Sequence, residues 1–434
     1  MRMFGRPKLH FTPRHGWIND PNGLIQTKEG FHLFAQHNPD DVVWGPMHWL
    51  HAVSDDMLHW RELGIALAPD ALGTMFSGSA VQTGDGCMAL MYTAHGDRER
   101  QCVAFSDDGR HFEKFDGNPV IDNPGIPDFR DPKVFPNPVL GGWSVVVAAG
   151  DHADFYHSEN LTKWEKTGEF RPEQWLGDIF ECTDCFKLSS DDGHAEWLLT
   201  ASMIFRAPVS HCRMVCALGE FDGKTFRMTD SEPHLVETGY DSYAGVTFFG
   251  TPKPTFMSWL GGASCPLPTP GYCGCLSLPR TMWLVHANGG YAPAQRLVLP
   301  EYQAIPAKSG AEAPGRTFVA ELESDGLFAL TLHGEQSEDA LTIRLNGNNE
   351  IESERSASPL LDANGAYNAD AFRRTRVARL REGRLKLKVV VDEWIVEVYA
   401  DGGLYAHALL FFARNGVKKL EWTDGASVSV AALQ

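Results

Sequence analysis

Ser54-Asp55-Asp56-Met57-Leu58-His59-Trp60 is echoed by Ser106-Asp107-Asp108-Gly109-Arg110-His111-Phe112 and again by Ser158-Glu159-Asn160-Leu161-Thr162-Lys163-Trp164. The three serines recur at an interval of 52 residues, as do the closing aromatic residues, and Phe221-Asp222-Gly223-Lys224-Thr225-Phe226 is a weaker fourth copy. Between the copies lie short apolar runs bounded by Gly, Pro, Asn and Asp. Phe31-His32-Leu33-Phe34, Ala89-Leu90-Met91-Tyr92-Thr93 and Trp143-Ser144-Val145-Val146-Val147 read as strands. Helical periodicity is nearly absent. A repeat of 40–50 residues in a β-rich chain predicts propeller blades of four strands each, and roughly 300 residues at this period accommodate five.

The repeat lapses near residue 300. Residues 301–315 are rich in Ala, Pro, Lys, Ser and Gly and read as a linker. Beyond it, alternating runs such as Leu385-Lys386-Leu387-Lys388-Val389 predict a β-sandwich over 316–434. The expected fold is therefore all-β, with a five-bladed propeller over 1–300 followed by a C-terminal sandwich. Arg373-Arg374-Thr375-Arg376 is expected on a solvated strand face.

The chain has 434 residues, 43% of them hydrophobic and 22% charged, so long disorder is not expected. A net charge of −18 argues against nucleic acid or an anionic membrane as partner. No run approaches the roughly 18 apolar residues of a membrane span. The opening Met1-Arg2-Met3-Phe4-Gly5-Arg6-Pro7 has no apolar stretch of the signal type, and nine scattered cysteines show no small-scaffold spacing. Together these lead to an expectation of a reducing, cytoplasmic setting. Cys182-Thr183-Asp184-Cys185 lacks matched His ligands, so neither metal nor cofactor is expected.

Three segments place a carboxyl group where it can line a pocket. In Asn19-Asp20-Pro21-Asn22-Gly23 the proline biases Asp20 to extended backbone, and Pro-Asn-Gly is expected to bend the chain. Phe129-Arg130-Asp131-Pro132 repeats the device with a guanidinium alongside, expected to hold Asp131 ionised. Ile179-Phe180-Glu181 sets a Glu behind two bulky apolar residues, which raises its pKa. Innermost strands of a propeller would gather Asp20, Asp131 and Glu181 around one axis. An ionised carboxylate facing a protonated one is the pairing that glycoside hydrolysis requires.

The chain resembles glycoside hydrolase family 32, the invertase, fructanase and sucrose-6-phosphate hydrolase group. The resemblance runs through Gly16-Trp17-Ile18-Asn19-Asp20-Pro21-Asn22-Gly23, Ala35-Gln36-His37-Asn38-Pro39, Trp44-Gly45-Pro46, Phe76-Ser77-Gly78, Arg130-Asp131-Pro132 and Glu181-Cys182. It implies hydrolysis of β-fructofuranosides with retention. Asp20 would be the nucleophile, Glu181 the general acid and base, and Asp131 the stabiliser of the transition state. It also implies that Asn19, Gln36, Trp44, Phe76, Ser77 and Arg130 contact the sugar, with Asp241 and Trp259 as looser assignments. The implied partner is a small carbohydrate: sucrose, sucrose 6-phosphate or a short fructo-oligosaccharide. A fructosyltransferase and a non-catalytic sugar-binding propeller are the alternatives. Thr183 departs from the family, which usually has Pro after Glu-Cys, and oligomeric state stays open.

Overall fold

In the computed structural model the described residues are 4–172, 177–206, 211–230, 232–261, 267–287, 289–336, 338–358, 370–423 and 425–433. Residues 1–3 of the opening heptapeptide lie outside them. Five sheets follow one another along the first 300 residues, antiparallel except where Tyr272–Cys273 joins the first in parallel, and two six-stranded sheets occupy the rest. The innermost strands are Gly16–Thr27, Thr74–Gln82, Phe129–Pro136, Ile179–Ser189 and Ser242–Thr247. Each packs against the next, and the fifth returns to the first. That closes a ring of five blades.

Side chains, not ladders, join most neighbouring inner strands. Asn22 Oδ1 accepts Gly78 N–H at 3.2 Å, and Ser79 Oγ accepts Val134 N–H at 2.9 Å. Lys133 Nζ lies 3.0 Å from Asp184 Oδ2, which accepts the Thr247 N–H at 2.8 Å. From blade five, Phe249 N–H donates to Leu24 O in blade one at 2.8 Å. A clasp completes the closure: Tyr272–Cys273 pairs with blade one and Cys275–Leu276 with blade five. Gly274 stands between them at φ +91°, where a Cβ would lie 2.1 Å from the Ile18 carbonyl oxygen. Gly274→Ala is accordingly expected to lower Tm by several degrees in thermal melts, since neither the left-handed backbone nor the contact tolerates a methyl group.

The 52-residue repeat is the connection from the third to the fourth strand of a blade. Ser54 Oγ accepts Asp56 and Met57 N–H, Asp56 Oδ1 accepts Leu58 and His59 N–H, and Trp60 Nε1 donates to Met57 O. Ser158, Asn160 and Trp164 repeat the pattern in blade three, and Asp222 caps the Lys224 and Thr225 amides in blade four. The repeat is thus a self-capping turn, which explains why polar residues carry the signal.

Leu33, Leu50, Leu198, Leu218, Phe256 and Leu284 form part of a core shared between blades. In the sandwich, Leu385 and Leu387 face Phe318, Leu330 and Leu341, while Lys386 points to solvent. Each fully buried Leu or Phe contributes about 1.5–3 kcal/mol of transfer free energy. The segment read as a linker is strapped down at two points: Ile305–Pro306 adds to Ser429–Val430 and Ala311–Glu312 to Lys419–Leu420. Its backbone groups pair with open sheet edges, so it behaves as part of the sandwich. Arg374 and Arg376 of the arginine run sit on the expected solvated strand face, Arg374 donating to Glu354 and Arg376 near Glu350 and Glu352, whereas Arg373 ends a short helix at Asp370–Arg373 and is only partly exposed.

Candidate active site

Every innermost strand is irregular where it carries a candidate residue. Register breaks flank Asp20 between Ile18 and Pro21, Ser77 between Phe76 and Gly78, and Cys182 between Glu181 and Asp184; another lies between Tyr243 and Val246. In blade three the break lies opposite Asp131. Asp131, Cys182 and Ala244 adopt left-handed backbone, at φ 64°, 43° and 55°. Such bulges re-aim side chains off the sheet faces. The expected turn at Pro21-Asn22-Gly23 is not formed. The strand continues to Thr27 because Pro21, lacking an N–H, falls at the bulge.

The re-aimed groups converge. Asp20 Oδ1 accepts Asn19 Nδ2 at 3.0 Å; Oδ2 accepts Ser77 Oγ–H at 2.5 Å and Gln36 Nε2 at 3.2 Å. Gln36 also donates to Ser77 Oγ. Cys182 Sγ lies 3.6 Å from both Asp20 Oδ2 and Asp131 Oδ2, and Cys182 N–H donates to Asp131 Oδ2 at 2.8 Å. Glu181 is held at both oxygens: Arg130 reaches Oε1 from Nη2 at 2.9 Å and Nε at 3.2 Å, and Tyr243 O–H donates to Oε2 at 2.5 Å.

Burial pushes the Glu181 carboxyl up, with the Asp20 charge adding to it, against the opposing pull of Arg130 and Tyr243. Burial also pushes Asp131 up, to about 8, although Arg130 opposes it. The expectation that Arg130 keeps Asp131 ionised is therefore corrected. The guanidinium bonds to Glu181, Glu99 and Asp128, not to Asp131. Burial works against the Arg130 charge, but Glu181, Asp131 and Glu99 together hold its pKa above the usual guanidinium range.

Aromatic rings frame the opening. Trp44, 56% exposed, meets Phe76 edge-on at 6.0 Å, and Phe76 stacks on His95 at 4.0 Å. Trp17 lies 5.8 Å from Trp259 and donates from Nε1 to Asn19 Oδ1 at 2.8 Å, fixing the amide that reaches Asp20. One assignment fails: Asp241 is 1% exposed, ion-paired with Arg355 of the sandwich, and accepts Leu410 N–H at 2.9 Å. Its carboxylate is consumed at the domain interface, where an unpaired charge would be costly. Tyr243, two residues on, is the group of that segment that enters the site, and sequence reasoning missed it. Glu99 and His95 were missed as well.

Among the described residues, His152, Asp154 and Glu169 are the one cluster with metal-ligand spacing, and Lys166 Nζ sits 2.7 Å from Asp154 Oδ1. Cys182 and Cys185 are buried free thiols. Among the described residues, no helix is long and apolar enough to cross a membrane.

A ring of five blades with three acidic side chains at its axial opening, backed by a sandwich, defines the architectural class. Residues 10–293 match the Glycosyl hydrolases family 32 N-terminal domain and residues 312–434 the Glycosyl hydrolases family 32 C terminal; the chain belongs to glycoside hydrolase family 32. It is 34% identical to a levanase of Bacillus subtilis over 92% of this chain and 65% of the relative. To invertase 1 of Saccharomyces cerevisiae it is 35% identical over 59% and 52% respectively. It thus spans about half to two thirds of the length of these relatives. Among solved structures, a fructofuranosidase of Schwanniomyces occidentalis complexed with fructose superposes with TM-score 0.89 at 25% identity, covering 99% of this chain and 98% of that one.

Proposed function

We propose that the chain is a retaining β-fructofuranosidase acting on the terminal fructosyl bond of sucrose, sucrose 6-phosphate or short fructo-oligosaccharides. The observation that carries this reading is the unequal treatment of two carboxyl groups in one pocket. Asp20 accepts from Asn19, Ser77 and Gln36, the arrangement a nucleophile needs, while burial, with the Asp20 charge adding to it, favours the protonated form of Glu181 against the pull of Arg130 and Tyr243. Asp20 attacks the anomeric carbon as Glu181 gives its proton to the departing oxygen. Glu181 then takes a proton from water, which attacks the same carbon and frees Asp20. Asp131, anchored by Cys182 N–H, holds sugar hydroxyls as charge develops on the ring. Trp44 and Phe76 supply apolar surface for the sugar. The names of the relatives, levanase and invertase, support this substrate class.

The stereochemical course tests it. Proton NMR of early product from a fructoside should show β-fructofuranose before mutarotation, and first appearance of the α anomer would overturn the double-displacement mechanism. Product analysis at high sucrose should give mainly free fructose; predominant oligosaccharide would make the chain a transferase.

A further inference from the structure

The Arg130 guanidinium is shared among three carboxylates. Nη1 donates to Glu99 Oε1 and Oε2 at 3.0 and 3.2 Å and to Asp128 Oδ1 at 2.8 Å, while Nη2 and Nε face Glu181. Glu99 opens the strand Glu99–Ser106 in blade two and is 4% exposed. Its Oε2 also accepts Phe129 N–H at 2.7 Å, and its Oε1 lies 3.3 Å from His95 Nδ1. An Asn123 amide bonds the Glu99 carbonyl, so the residue is pinned at both backbone and side chain. It lies on the far side of Arg130 from Glu181, and the mechanism above gives it no task.

A buried carboxylate of this kind has an electrostatic consequence. A guanidinium committed to Glu181 alone would stabilise the ionised form, which has no proton to give a leaving oxygen. Two further anions on Arg130 divide that influence, and their own negative charge disfavours another nearby. We propose that Glu99 is a positioning residue that holds Arg130 and divides its charge, thereby setting the pH range over which Glu181 can act as an acid. The inference rests on the assignment of Glu181 as the general acid. The other groups facing the cluster are Asp20, Asp131, Asp128, Cys182, Cys212, Tyr243 and His95. Of these, only Asp128 also bonds to Arg130, and at 30% side-chain exposure it is the weaker contributor.

Glu99→Gln keeps the shape and removes the charge, so the basic limb of the kcat/KM–pH profile should move down by ~0.5–1 unit. Glu99→Asp, which restores the charge, should return the limb towards wild type even where kcat falls. A limb that stays in place in Glu99→Gln, or moves up, overturns the proposal, including where kcat drops, because a purely structural role lowers rate without moving the limb. If Glu99→Gln does not fold, Asp128→Asn should show a smaller shift of the same sign, and no shift overturns the idea. If wild type releases no fructose from sucrose, kestose or inulin, the proposed function fails on its own. Carbon-13 NMR titration of the Glu181 carboxyl in wild type and Glu99→Gln then decides whether Glu99 controls that group.

Discussion

Asp20→Asn is expected to lose at least about 10⁴-fold in kcat on sucrose with an unchanged fold, because in the proposed mechanism Asp20 is the nucleophile and its removal takes away the covalent route itself. The substituted amide keeps the shape but has one acceptor oxygen, so it loses part of the hydrogen bonding to Asn19, Gln36 and Ser77; the loss is local, and circular dichroism should stay at wild type with Tm lowered by no more than a few degrees. Glu181→Gln should lose less on a fructoside with an acidic leaving group, such as a nitrophenyl aglycone, than on sucrose. A leaving group that departs without a proton bypasses the acid but still requires the nucleophile. The two variants therefore separate by substrate: Asp20→Asn is inactive on both, whereas Glu181→Gln is partly rescued by the better leaving group. Fructose release by Asp20→Asn at an undiminished rate would remove Asp20 from the mechanism. Bound sugar without any turnover in wild type would instead favour a carbohydrate-binding propeller.

What the sequence makes legible here follows from what is local. The capping turn at Ser54, Ser106 and Ser158 satisfies its own backbone within seven residues, so its chemistry is written contiguously and its period reports the blades. Asp20, Asp131 and Glu181 are picked out by short motifs, although Asp131 stands in left-handed backbone at φ 64° and not in the extended form that the following proline predicts. Bulges are harder to read. The Pro21-Asn22-Gly23 bend was expected from local propensity, but pairing with the strand Gly30–Asn38 on both sides overrides it. Asp241 and Tyr243 are the clearest failure. Both are polar residues in one short segment, and what sends one to the sandwich and the other to Glu181 is Arg355, more than a hundred residues away. Glu99 escaped notice for the same reason: it becomes intelligible only through Arg130 in the next blade. The segment 301–315 has a linker's composition, yet its ends meet open sheet edges that composition does not reveal.

The largest expected effect on stability lies outside the active site, where the two domains meet. His10 Nδ1 is 2.9 Å from Asp392 Oδ2 and Nε2 is 3.0 Å from Glu397 Oε1, with all three side chains sealed from solvent. Asp392 also accepts the N–H groups of Lys8, Leu9 and His10, and Glu397 accepts Leu278 N–H. The sandwich carboxylates thus grip the start of the propeller and one of its late loops. Burial would lower the His10 pKa, but hydrogen bonds to Asp392 and Glu397 outweigh it and hold the ring at about 9, above the free value of 6.5. A pKa raised on folding contributes stability that is complete below pH 6.5 and is lost as pH rises through 9. The shift corresponds to about 3 kcal/mol at its full extent. Asp392 and Glu397 are lowered, against the burial that would raise them, by the His10 contacts, with Arg280 also acting on Glu397. Their contribution is present above the ordinary carboxylate range and fades as pH falls through their folded values. Stability should therefore form a plateau from above the ordinary carboxylate range up to about pH 6.5, declining on the acid side and, through neutrality to pH 9, on the basic side. His10→Gln leaves two buried carboxylates facing an amide and is expected to cost about 3–5 kcal/mol, the range for breaking a buried pair from one side. Denaturant titrations at pH 6 and pH 9.5 check both claims. The wild-type advantage over His10→Gln should be large at the lower pH and much reduced at the higher one, and an advantage independent of pH would show that the imidazole serves there as a neutral packing group.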